Sequence, residues 1–170
     1  MATTKFPPLI AFTGRSGSGK TTIIEKLTAL CAGRGLRVGI VKHMRHEFDI
    51  DHPGKDTYRY MSSGAAVRSI TNGTSIAIMA DGIDGLSPLD AAPHLFAACD
   101  LVIIEGQKEG AYPKIEVIGD STEAPLHLSG VENIVALACD RDIETSLPLF
   151  RRDDIVPLLN FISRLTGLTP

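Results

Sequence analysis

Four residues near the amino terminus have the types and spacing to grip phosphate. Gly14, Gly19, Lys20 and Thr21 fit the pattern GxxxxGK[ST] within GRSGSGKTT. Glycines at such spacing let successive backbone N–H groups turn toward one anion, because a side chain there would block the approach. Ser16, Gly17 and Ser18 complete the turn, and Thr22 follows it. Lys20 would bridge the terminal phosphates of a nucleoside triphosphate, and the Thr21 hydroxyl would ligate Mg²⁺. The chemistry also needs a carboxylate for the metal or for the attacking water. Glu105 supplies one where it closes the run DLVIIEG, either toward Mg²⁺ or to orient water, unless it serves as a cap or a surface acid.

For these groups to meet, the motif must join a buried strand to a helix, and Glu105 must end a neighbouring strand. The pattern provides both. Leu9 to Thr13 reads as a first strand, and a helix follows from about Gly19 to Ala32 with Ile23, Leu27 and Leu30 on one face. RVGIVKH is a second strand, and LVIIEG is apolar enough to be buried on both faces. A short helix is predicted over Asp56 to Ser62. AAVRSI and SIAIMA surround Asn72-Gly73 as a hairpin that makes part of the sheet antiparallel. Ser87-Pro88 opens another helix, KIEVIG and ENIVALACD are strands, and a closing helix carries Leu158, Phe161, Ile162 and Leu165. The expected fold class is α/β: a three-layer α/β/α P-loop NTPase, mostly parallel, in one domain over 1–170.

Composition excludes several alternatives. With 17 basic and 20 acidic residues the formal charge is −3, which lacks the surplus needed to coat a nucleic-acid backbone. No apolar stretch reaches the ~18 residues of a membrane span, and MATTKFPPLI has no long apolar region behind a basic start, so a soluble, unexported protein is expected. Cys31, Cys99 and Cys139 are odd in number and flanked by apolar residues, which favours reduced thiols in a cytoplasmic protein.

The phosphate loop alone belongs to many families. Read with VKHMRHEFDIDHPGKDTYRYMSSGAA and LVIIEGQKEGAYPKIEV, the chain resembles the MobB family from about residue 8 to 165. The specific features are Lys42-His43, the Pro53-Gly54-Lys55-Asp56 run with Arg59, Ala65-Ala66, and Glu105-Gly106 followed by Lys108 and Pro113-Lys114-Ile115. Arg45 and Gln107 stand where that family commonly carries a histidine and an aromatic residue. The resemblance implies a homodimeric GTP-binding accessory protein with weak GTPase activity. It would cooperate with MobA, the guanylyltransferase that joins GMP to molybdopterin to form the guanine dinucleotide.

Other residues are weighed beside this. His43, His46 and His52, with Asp49 and Asp51, suggest either a metal cluster or a polar loop contacting an anionic ligand. Lys42, Lys55 and Arg59 suit a second anion, such as a pterin phosphate, or a solvated basic face. Asp56 has a possible place in the Mg²⁺ shell, and Lys108 and Lys114 could reach phosphate or a subunit partner. The Asn-Lys-x-Asp guanine signature is absent. Asp140, at the end of NIVALACD, is the candidate base reader, with an ordinary turn aspartate as the alternative. Competing functions are a small-molecule P-loop kinase, which would need an arginine-rich lid, and a metallochaperone GTPase, which would need a Cys/His metal site.

Overall fold

The computed structural model describes residues 6–44, 50–81, 87–91, 93–120 and 124–169. The chain divides into two compact units, 1–44 with 92–170, and 45–91.

In the first unit β1 (Leu9–Thr13) leads through the glycine-rich loop into α1 (Lys20–Gly33), and β2 (Val38–Lys42) follows. In the second unit lie α2 (Asp56–Ser62), β3 (Val67–Thr71), β4 (Ile76–Ala80) and α3 (Pro88–Ala91). The first unit resumes with α4 (Pro93–Phe96), β5 (Leu101–Glu105), β6 (Lys114–Val117), a 3₁₀ turn over Leu126–Leu128, β7 (Ile134–Ala138), β8 (Leu149–Phe150) and α5 (Ile155–Thr166).

Six strands pair in the order β2-β5-β1-β6-β7-β8, and every pairing is parallel. Leu9 pairs with Val102 and Phe12 with Glu105, so β1 and β5 end side by side. Helices lie against both faces. Ile23, Leu27 and Cys31 of α1 and Leu158, Leu159 and Ile162 of α5 bury against Ile10, Phe12, Ile103 and Ile115. Each such fully buried aliphatic side chain contributes about 1.5–3 kcal/mol. On the opposite face Phe96 of α4 packs so close to β2 that a Cβ on Gly39 would lie 2.9 Å from its ring.

One expectation is corrected. The Asn72-Gly73 turn does form a hairpin, with Val67 paired to Ala80 and Thr71 to Ile76. It makes a two-stranded sheet of its own rather than an antiparallel part of the main sheet. The turn dictates local pairing, whereas joining the larger sheet depends on edges distant in sequence.

Candidate nucleotide site

The glycine-rich loop follows β1 and lies against the carboxyl end of β6 and the residues after it. Gly14 has φ 148°, and a Cβ there would stand 2.3 Å from the Val117 carbonyl oxygen. A Cβ on Gly119 would meet Ser18 Cα at 2.8 Å. Both positions require glycine, one for its dihedral and both for close backbone approach.

Within the loop, Lys20 Nζ donates to the carbonyls of Arg15 (2.8 Å) and Gly14 (3.3 Å) and to Ser18 Oγ (3.4 Å). Partial burial lowers its pKa below the ordinary 10.5; the Glu105 carboxylate opposes that shift, and Lys108 and Lys42 reinforce it. Lys42 and Lys108 are therefore close enough to the loop for their charges to be felt there. Thr21 Oγ1 donates to Glu105 Oε1 at 2.7 Å. Glu105 is buried at the end of β5, in register with Lys42 at the end of β2, and its carbonyl accepts from the His43 N–H at 2.8 Å.

A cavity of about 470 Å³ opens over this arrangement, lined by Ser16, Gly17, Ser18, Gly19, Lys20, Thr21, Thr22, Lys42, His43, Glu105 and Gly106. The structure thus gathers most of the residues expected from the sequence at the carboxyl edge of one sheet. The adjacent hydroxyl of Thr21 and carboxylate of Glu105 are hard oxygen donors of the kind Mg²⁺ takes, so the residues fit that ion. The ammonium of Lys20 and the glycine backbone suit phosphate oxygens.

The family model described as molybdopterin guanine dinucleotide synthesis protein B matches residues 9–140, from β1 past the end of β7. The chain belongs to the MobB family. Among curated relatives of this MobB-family chain is the molybdopterin-guanine dinucleotide biosynthesis adapter protein of Escherichia coli (strain K12). It is 35% identical over 161 residues, covering 91% of each chain. The corresponding adapter protein of Haemophilus influenzae is 34% identical over 157 residues, covering 91% of this chain and 87% of that one. Among solved structures, Bacillus subtilis MobB matches with a TM-score of 0.73 and 28% identity, covering 94% of this chain and 99% of the other.

Two of the expected residues of this MobB-family chain have partners of their own within the protein. Lys114 is fully buried, and its ammonium donates to the carbonyls of Gly110 (2.6 Å), Glu132 (3.0 Å) and Tyr112 (3.3 Å). It begins β6, opposite Ala11 in the middle of β1, away from the loop that follows Thr13. Burial lowers its pKa, partly offset by Glu132. Lys114 therefore holds the 110–114 and 132 segments together and does not reach a phosphate. Asp140 does follow β7, but both carboxylate oxygens already accept from Arg152, from its backbone N–H (2.9 Å) and its Nε (2.5 Å). These two bonds commit Asp140 to holding Arg152.

The remaining expected residues lie in the second unit. Arg59 and Asp56 form an exposed ion pair at 3.8 Å, and Lys55 precedes α2. Asp51 is buried: its Oδ1 accepts from Thr57 Oγ1 (2.9 Å) and the His52 N–H (3.1 Å), and its Oδ2 lies 3.5 Å from Arg68 Nε. Arg68 also pairs with Asp81. Asp51 thus organises this unit through Thr57, the His52 N–H and Arg68. Arg45, His46 and Asp49 lie outside the described residues, and among the described residues no three metal-ligating side chains converge. Cys31 and Cys139 are buried, so they offer no thiol pair for the metallochaperone reading.

Arg152 and Glu116 also support the site; the sequence offers Arg152 only as half of a late, short Arg151-Arg152 pair and does not single out Glu116. Glu116 is buried on β6; its carboxylate accepts from the Leu126 N–H, the His127 N–H and His127 Nδ1, the last at 2.7 Å. That fixes a segment whose Ala124 carbonyl accepts from Arg15 of the phosphate loop at 3.2 Å. An acidic residue between Ile115 and Val117 was its only signal.

Proposed function

We propose that the chain is a GTP-binding adapter of molybdopterin-guanine dinucleotide biosynthesis, a homodimer in the cytoplasm that acts beside a MobA-like guanylyltransferase. The observation that carries the nucleotide reading is the Thr21–Glu105 hydrogen bond of 2.7 Å, set inside the cavity formed by the phosphate loop. The adapter role is supported by the family and by the printed names of the Escherichia coli and Haemophilus influenzae relatives.

Lys20 would bind the terminal phosphates, the glycine backbone would cradle them, and Thr21 with Glu105 would hold Mg²⁺. When bound, that ion would neutralise phosphate charge. Glu105 shares its Oε1 with Thr21, which suits a metal carboxylate better than a strong general base and is consistent with slow hydrolysis. Lys42 and Lys108, felt electrostatically at Lys20, favour a second anion beside the terminal phosphate, and a pterin phosphate would meet that description. Lys55 and Arg59 are exposed cations on or before α2, open to an anionic ligand or partner. The homodimer reading is supported by β3–β4, where Val67, Ile76 and Ile78 share one exposed face and Ile70 is exposed on the other.

The test measures binding of GTP and ATP with and without Mg²⁺, for the native chain and for Lys20→Ala. It then adds the protein to a MobA-like transferase, molybdopterin and GTP. Selective, Mg²⁺-dependent GTP binding that Lys20→Ala abolishes, with a raised yield of guanine dinucleotide, is expected. Equal affinity for ATP would remove the guanine assignment, and an unchanged yield would remove the adapter assignment.

A further inference from the structure

On the side of the phosphate loop away from Glu105 stands an arginine that the phosphate grip does not require. Arg152 is tied to Asp140 twice, through its backbone N–H (2.9 Å) and through Nε (2.5 Å). One carboxylate therefore fixes both the position of the residue and the plane of its guanidinium. Nη1 reaches back to the Ser18 carbonyl at 3.5 Å and would lie 3.5 Å from a Cβ on Gly19. Nη2 donates to nothing among the described residues, and the side chain is 28% exposed.

Sheet order decides which end of a nucleotide this arginine faces. Glu105 ends β5 on one side of β1, whereas Asp140 and Arg152 follow β7 and β8 on the other. The Thr21–Glu105 pair marks the metal and the terminal phosphates. A triphosphate seated this way sends its nucleoside toward the ends of β6, β7 and β8, within the crevice at the carboxyl edge of the sheet.

We infer that Arg152, oriented by Asp140, selects guanine over adenine by donating from its Nη atoms to guanine O6 and N7. A guanidinium has donors only. Guanine offers two acceptors on that edge, whereas adenine places an amino donor where O6 would be. The opposite edge of guanine, N1–H with the exocyclic amine, calls for a carboxylate, whereas the Asp140 carboxylate spends one bond from each oxygen on holding Arg152. This inference rests on the GTP-binding reading above.

Titrations of the full chain with GTP, ITP and ATP in the presence of Mg²⁺ test it. Hypoxanthine keeps O6 and N7 and lacks the exocyclic amine. The native protein should bind GTP and ITP alike and ATP more weakly. Arg152→Ala should weaken GTP and ITP on the order of ten- to a hundredfold and leave ATP nearly unchanged. Arg152→Lys, which keeps the charge without the planar fork, should lose most of the discrimination. Equal weakening of all three nucleotides by Arg152→Ala would reduce the residue to a brace for the loop and overturn the inference. ITP binding as poorly as ATP would overturn it without any variant. If native protein binds GTP and ATP equally, the GTP reading itself falls; a GTP preference that survives Arg152→Ala removes only the role of the arginine.

Discussion

Thr21 at the start of α1 and Glu105 at the end of β5 are joined by a 2.7 Å hydrogen bond across 84 residues of sequence. The bond places a hydroxyl and a carboxylate side by side beneath the lysine that would hold phosphate. Its main consequence concerns metal dependence.

Glu105→Gln and Thr21→Val should each reduce the gain in GTP affinity produced by Mg²⁺ by about ten- to a hundredfold, the range for losing a charged hydrogen-bonded ligand. Binding in EDTA should change little. Calorimetric titration with and without the ion checks this, and equal losses in both conditions would contradict the metal assignment.

Lys20 provides a pH dependence. Its pKa is lowered from 10.5 first by burial, with Lys108 and Lys42 adding to the shift and Glu105 opposing it. Phosphate binding needs the ammonium, so GTP affinity should fall as pH rises through this lowered value, earlier than for an ordinary lysine. Removing a neighbouring cation raises the Lys20 pKa, so Lys108→Met should move the fall to higher pH. An unchanged or acid-shifted profile in Lys108→Met would count against this electrostatic coupling.

Lys114 is expected to matter for stability alone. Lys114→Met removes the donor from three carbonyls and should cost about 2 kcal/mol. For a chain of this size that is a fall in Tm of roughly 4–8 °C. GTP affinity measured well below the transition should be unchanged. A loss of affinity without a loss of Tm would restore Lys114 as a ligand-binding residue.

If the apolar hairpin pairs two copies, Val67→Asp with Ile78→Asp should convert a dimer to a monomer by light scattering at micromolar concentration. Both residues are more than half or half exposed, 62% and 50%, so the single chain should tolerate the change. A native mass equal to one chain would dispose of the homodimer.

Much of this arrangement is legible before any coordinates. The apolar runs of β1 and β5 have only one buried reading, and the rule that ligands gather at strand carboxyl ends places Glu105 beside the loop. The limits of α2 follow from Asp56 and the glycine after Ser63. Other features depend on contacts that leave no local pattern. β8 has two residues, too few to show a period, and without it Arg152 reads as an isolated basic pair rather than as a neighbour of Ser18, 134 residues earlier. Lys114 looks exposed by type, because its three carbonyl partners are brought in by loops at 110–112 and 132.

The strand order also bears on the timing of synthesis. β1 is made first, yet its two neighbours are β5 and β6, so Leu9 waits for Val102 and Ala11 for Lys114. At 5–20 residues per second the interval is on the order of ten seconds. During it the phosphate loop has neither the Glu105 carboxylate nor the Val117 carbonyl that shapes Gly14. A nascent chain should therefore be unable to take up nucleotide until β6 has left the ribosome, and nucleotide capture would report completion of the central sheet.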